Sequence, residues 1–541
     1  MPANSTLRVR PSLISLQQEY DLGNKKPLED LMRAWKGIKE LPPEDPLSFF
    51  ALAGHHGAPL QYRAAVDELE PADSYPYWGG YCNHGNVLFP TWHRMYVLKV
   101  EQALQSIVPG VMLPYWDESD DYALKNGIPA ALTREKFELD GASIDNPLRS
   151  FVLPVALSDG LSGDAHAYEK PIGYETVRYP MSGLVGTPEA RTATLAHNAQ
   201  YPNFRDNVGM LNENLRAWMR GGRPTVANPN PTNTGVYAKM LDCLSAPNFT
   251  VFSNTTSAAQ WNLINPGKVT SLESPHNSIH LAVGGFDFPD SQVGQLAGAN
   301  GDMGENNTAG MDPIFFFHHC NIDRLFWLWQ KRHGMTDKLE IIKGFAGTAA
   351  SDSQGPTPGM NPTGLLDMDS PLTPFKKIDG AAYTSRDCIN IETQFGLTYA
   401  PGSLDPDLAG PHHGDLETPR HAKKLHVSGI NRSAIQGSFI LTAYALTAGQ
   451  DGTTVRHELG HSAKLSRYNV AKCANCLTHL DVMAHFPLHD FTDEQLDQAE
   501  FHVELHSRTG VVELTPGSNL QRYATFAAIK PGKPTEIRIV D

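Results

Sequence analysis

Hydrophobic residues recur at helical spacing through roughly the first 400 residues and at strand spacing beyond them. Between Pro27 and Leu41, Leu28, Leu31, Met32, Trp35 and Ile38 share one face of a 3.6-residue period, which predicts an amphipathic helix. Asp45-Pro46 predicts a second helix start, with Asp as cap and Pro in the first turn, running on through Phe49, Phe50 and Leu52. Pro90 opens a third in FPTWHRMYVLKVEQAL, Pro275 a fourth in SPHNSIHLAV, and Asp312-Pro313 a fifth in DPIFFFHHCNIDRLFWLWQ. Stretches rich in Pro, Gly and Asn, from 228 to 235 and from 355 to 364, predict surface loops between them.

The pattern changes near residue 400. Pro401 to Lys424 is rich in Pro, Gly and charge and reads as a linker. Beyond it GSFILTAYAL, EFHVELHSR and TEIRIV show alternation or β-rich composition, with turn residues between them. The expected architecture is a mainly α domain over 1–400, a cleavable linker over 401–424, and an antiparallel β-sandwich over 425–541.

Composition narrows the function. The net charge of −15 argues against a protein that tracks nucleic-acid phosphates. No apolar run approaches the roughly 18 residues of a membrane span, and MPANSTLRVRPSLISLQQEY has no continuous apolar stretch of the secretory kind, so a cytoplasmic protein is expected. In that compartment Cys82, Cys243, Cys320, Cys388, Cys473 and Cys476 are expected to be free of structural disulfides.

Most of the 22 histidines need no special explanation, but two groups have metal-ligand placement. His56 closes the second predicted helix, His84 lies on the loop before Pro90, and His93 falls in the first turn of the third. A loop histidine and a helix histidine can converge on one ion, whereas nine residues along a single straight helix would set them on opposite faces. His276 and His280 are four apart and share a helix face, and the later helix adds His318 and His319. Sites of three histidines without a carboxylate partner suit copper or zinc. Zinc hydrolases generally keep one ion or add carboxylates.

GGYCNHGNVLFPTWHRMYVLKVEQAL resembles the first copper motif of the tyrosinase family. SPHNSIHLAVGG followed by DPIFFFHHCNIDRLFWLWQ resembles the second, and LPYWDES and GANGDMGENNTAGMDP also fit. The resemblance covers nearly the whole chain and points to latent precursors of the intracellular fungal type. It implies a pair of copper ions, one on His56, His84 and His93, the other on His276, His280 and His319. His55 and His318 are then neighbours. It also implies oxidation of small phenols by dioxygen, in melanin-type pigment chemistry, and a thioether between Cys82 and His84. Glu273 and Asn277 match the family's water-holding pair, which suits a monophenol that must lose a proton before it binds copper. Asp323 is expected to orient a ligand imidazole or to pair with Arg324.

In the tail, the resemblance gives Cys473 and Cys476 a role in copper delivery, Tyr468 or Leu465 the role of a plug in the active-site mouth, and the linker an activating protease. His457-Glu-Leu-Gly-His461 matches the H-E-x-x-H zinc pattern, but it lies in predicted sheet, where the helical face it needs is missing. Two other functions share these residues: a catechol or o-aminophenol oxidase without monophenol hydroxylation, and a haemocyanin-like oxygen carrier. Whether the chain forms a homo-oligomer is left open.

Overall fold

The apolar stripes predicted for the helices end up in one large core. In this computed structural model the described residues are 7–57, 81–158, 169–183, 185–223, 234–289, 300–350, 364–405, 423–435, 437–449, 452–466, 481–518 and 533–541. The helices that position the site are α1 (Leu13–Asp21), α2 (Lys26–Glu40), α3 (Phe49–Gly57), α4 (Phe89–Ile107), α5 (Phe204–Arg220), α6 (Val236–Cys243), α7 (Thr255–Ile264), α8 (Glu273–Val283) and α9 (Ile314–Arg332). In α2 the residues expected on one face are buried, and Trp35 stacks on Phe317 of α9 at 5.5 Å. Helix α9 is buried from Ile314 to Gln330, so it runs through the centre of the domain.

Two helix starts differ from expectation. Asp45 caps only a turn, accepting from Leu47 N, and α3 begins at Phe49 with Ser48 Oγ accepting from Ala51 N. A serine hydroxyl one residue before the helix meets its orphan N–H groups better than an aspartate four residues back. Helix α8 begins at Glu273, which sets that acid in the first turn with Pro275 behind it. The stretches 228–233 and 355–363 lie outside the described residues.

Asp323 neither orients an imidazole nor pairs with Arg324. Its oxygens accept from Arg94 Nε at 2.5 Å, Arg10 Nη1 at 3.2 Å and Tyr399 Oη at 2.6 Å, while Arg324 pairs with Asp405 at 3.2 Å. Arg10 and Arg94 are themselves buried, and a buried guanidinium needs a counter-charge more than an imidazole needs a second acceptor.

The chain ends of the helical domain are tied together. Strand β1 (Arg8–Arg10) pairs in parallel with β2 (Leu397–Tyr399). Beyond β2, Tyr115 Oη donates to the carbonyls of Ala400 and Pro401, and Asp117 accepts from the N–H and hydroxyl of Ser403. Residues 401–405 therefore pack on the helical domain. Residues 406–422 lie outside the described residues, and Lys424 already opens a strand.

The strands of the tail are β3 (Lys424–Asn431), β4 (Phe439–Ala448), β5 (Thr454–Lys464), β6 (Asp481–Pro487), β7 (Glu500–Ser507), β8 (Gly510–Leu514) and β9 (Glu536–Val540). They form a four-stranded sheet in the order β5-β4-β7-β8 and a three-stranded sheet in the order β6-β3-β9, all antiparallel. Val427, Leu441, Ala443, Phe486, Val503 and Leu505 belong to the core between these sheets. Along β4, Phe439, Leu441, Ala443 and Ala445 join that core, while Ile440 faces the helical domain and joins the main core with Ala463 and Leu465. One strand thus serves two cores through its two faces. No helix among the described residues is long and apolar enough to cross a membrane.

Candidate metal centre

Two buried groups of histidines face each other inside the helical domain: His56, His84 and His93 in one, and His276, His280, His318 and His319 in the other. In the first, ring centroids lie 5.3 Å apart for His56 and His84, 5.1 Å for His84 and His93, and 5.9 Å for His56 and His93. In the second, His319 Nε2 lies 3.2 Å from His276 Nε2 and 3.3 Å from His280 Nε2. Across the gap His93 stacks on His319 at 4.5 Å, and His84 lies 5.5 Å from His276.

Oxygen acceptors orient the rings. His56 Nδ1 lies 3.2 Å from the Asn306 carbonyl, His93 Nδ1 2.8 Å from Phe89 O, His280 Nδ1 2.9 Å from Met303 O, and His276 Nδ1 3.0 Å from Asn277 Oδ1. An oxygen acceptor calls for a proton on Nδ1, which leaves the Nε2 lone pair facing inward. Phe315 stacks on His319 at 4.0 Å and fixes that ring from the side. Gly284 makes one of these contacts available: a Cβ there would strike the backbone of Gly304, next to the Met303 carbonyl that holds His280.

These residues fit a metal. Burial, reinforced by neighbouring imidazoles, pushes His276, His280 and His319 well below the ordinary histidine range and His93 down to about 3, so all four are neutral at physiological pH. His93 Nε2 is buried without a hydrogen-bond partner. Nitrogens held about 2.0–2.1 Å from one tetrahedral ion sit about 3.3 Å apart, and the 3.2 and 3.3 Å separations match that spacing. Without a cation, converging lone pairs would repel.

The neighbouring histidines are held elsewhere. His55 sits among Tyr81, Tyr96 and Phe375, outside both groups, and burial pushes it down to about 4. His318 Nδ1 lies 2.5 Å from Glu118 Oε1. Sequence reasoning passed over Glu118, although LPYWDES had been singled out, because nothing local links it to a residue 200 positions away.

Glu273 and Asn277 both line a cavity of about 50 Å³ beside His84 and Gly85, with room for a few waters. Glu273 accepts from Gly85 N at 2.8 Å, Thr255 N at 2.8 Å and Thr255 Oγ1 at 3.0 Å, so it also braces the loop that carries His84. Burial raises its carboxyl above the ordinary range, opposed by these hydrogen bonds and by Lys464. The Cys82 thiol is free of any disulfide and lies 3.6 Å from Asn306 Nδ2. Tyr468, Cys473 and Cys476 lie outside the described residues. His457 and His461 stand on β5 and diverge: His457 bonds Thr447 Oγ1, while His461 packs against Trp218. They form no zinc site.

Residues 46–332 match the model of the common central domain of tyrosinase. The chain is 60% identical over 516 residues to a tyrosinase of Hahella sp. (strain CCB-MM4), covering 94% of this chain and 93% of that protein. The chain belongs to the tyrosinase family. It is a type-3 copper enzyme that oxidises monophenols and o-diphenols, and its cofactor is a pair of copper ions. A tyrosinase of Aspergillus oryzae is 40% identical, with 94% of each chain covered. The solved tyrosinase of Burkholderia thailandensis superposes with a TM-score of 0.83 at 64% identity, covering 92% of this chain and 94% of that one. The fungal assignment suggested by the motifs is not supported, since the Hahella protein, a bacterial tyrosinase, is more similar than the Aspergillus one.

Proposed function

We propose that His56, His84 and His93 hold one copper, that His276, His280 and His319 hold the other, and that the tail keeps this tyrosinase latent. Bound copper supplies the electron exchange with dioxygen, and a monophenol plus dioxygen gives an o-quinone plus water. The chain's own residues orient the imidazoles, exclude bulk water and move the phenol proton. A water between Glu273 and Asn277 is the acceptor for that proton, and the brace from Glu273 to Gly85 keeps His84 in register with it. A thioether from Cys82 to His84 would stiffen the loop histidine, which no helix holds.

The observation that carries latency is the wall of the cavity beside His84. Arg432, Lys464, Leu465, Asp481, Val482 and Met483 close it from the tail, and Leu465 is 2% exposed. We read the two tail sheets as a β-sandwich shielding domain, the segment 406–422 as its cleavable linker and Leu465 as part of the plug. Tyr468 is a second plug candidate, and Cys473 with Cys476 is read as the copper-delivery pair. Cys243, Cys320 and Cys388 are buried without disulfides, which supports the reading of a cytoplasmic enzyme; detection of a disulfide in protein from the cell would contradict it.

The test is oxygen uptake with tyrosine and with catechol before and after limited proteolysis. Cleavage between 406 and 422 should raise activity on both substrates at least about tenfold, since a tethered plug acts at high effective concentration. Full-length protein as active as the clipped form would end the shielding role.

A further inference from the structure

The second histidine group contains more imidazoles than a catalytic copper needs. Three leave a coordination position open for a small ligand, whereas four close a tetrahedral shell, as in structural metal sites. His318 stands inside that group. Its ring centroid lies 5.3 Å from that of His276 and 5.2 Å from that of His280, and one of its nitrogens is within 4.8 Å of the candidate ligand atoms of the other three.

Glu118 holds it aside. The Glu118 side chain is fully buried, and Oε1 lies 2.5 Å from His318 Nδ1. Asn321 donates from Nδ2 to Glu118 Oε2 at 3.2 Å. His318 and Asn321 are three apart on α9 and so share a face, from which both reach Glu118. Among the described residues no lysine or arginine pairs with this carboxyl, so its partners are the imidazole and the amide. Burying a carboxyl without a cation is costly, and a segment that needed only bulk at this position would carry an apolar residue.

We propose that Glu118 is a positioning residue that keeps the second copper site open, by holding His318 through Nδ1 so that this imidazole does not become a fourth ligand beside His276, His280 and His319. The inference rests on the ligand set proposed above. It assigns the adjacent histidines opposite duties: His319 binds metal, and His318 is tethered.

The test uses full-length copper-loaded protein, with azide as a small probe anion for the open position and copper content measured alongside. Glu118→Ala should keep two coppers per chain and bind azide at least about tenfold more weakly. Glu118→Ala combined with His318→Ala should recover azide affinity to within about threefold of His318→Ala alone, because the competing donor is gone. Unchanged azide affinity in Glu118→Ala, or no recovery in the double variant, overturns the proposal. Should Glu118→Ala fail to fold, Asn321→Ala loosens the same carboxyl and should weaken azide in the same direction, and no change there overturns the proposal equally. Loss of one copper in His318→Ala alone would instead overturn the ligand set, so the two failures are distinguishable.

Discussion

Acid should release the tail, and one histidine should set the slope. His461, on β5 of the tail, is buried against Trp218 at 4.8 Å and Phe288 at 5.5 Å, both edge-on and both from the helical domain. Its Nε2 has no hydrogen-bond partner. Its carbonyl accepts from the buried Nζ of Lys239 on α6 at 2.9 Å, and Lys268 adds positive potential. Burial first, and then these two lysines, push His461 well below the ordinary histidine range. Burial, with Lys268 and Lys464, pushes Lys239 well below the ordinary lysine range against the pull of Asp242, so Lys239 adds a pH slope of the same sign as His461. The docked state therefore holds His461 neutral, while an undocked tail lets it titrate near 6.5. The contribution of His461 to docking is at full strength above that value and weakens by ~1.4 kcal/mol for each pH unit below it, while the docked imidazole stays neutral. At pH 4.5 the loss from His461 reaches at most ~2.7 kcal/mol, about 100-fold in the docking equilibrium. Lys464, pushed to about 8, is protonated in both states across this window and adds no slope. His485, pushed to about 3 beside His426, affects the tail's own sheet over the same range, so tail folding should be followed separately. The assay is catechol oxidation by full-length protein divided by that of clipped protein, from pH 7.5 to 4.5. The ratio should climb below pH 6.5, and His461→Phe, which fills the aromatic slot without a titrating group, should remove up to about 100-fold of that climb at pH 4.5. An identical climb in His461→Phe would refute this reasoning.

Three further outcomes are expected. A tryptic peptide carrying Cys82 and His84 from copper-loaded protein should weigh two hydrogens less than its sequence mass if sulfur is bonded to the ring, and free alkylation of Cys82 would exclude the bond. Asn277→Gly should slow monophenol oxidation more than diphenol oxidation; because Asn277 Oδ1 also holds His276 Nδ1, copper affinity at the second site should fall by about tenfold. Equal loss of both activities at full copper loading would remove the proton-transfer role. Replacing Cys473 and Cys476 by serine should lower copper content in copper-starved cells yet leave it restorable by added copper, and normal loading under starvation would make the pair idle.

Whatever depends on neighbours a few residues apart was legible in the order of residues alone. The apolar period of α2, the proline that opens α4 and the four-residue spacing of His276 and His280 dictate local geometry wherever the chain goes. The linker composition and the alternation in β4 marked the change of architecture for the same reason. Long motifs then tied these local features to copper. Tertiary structure decided what depends on distant partners. Asp323 looks from sequence like a companion of His319 or Arg324, but only the packed core brings Arg10 and Arg94 to it. His318 and His319 are indistinguishable as neighbours in the chain; a carboxyl 200 residues away separates them. His457 and His461 form a metal motif on paper, yet on β5 one bonds a threonine and the other enters an aromatic slot of the helical domain. In each case a buried polar group must find a partner, and which partner comes within reach is set by long-range packing that no local pattern records.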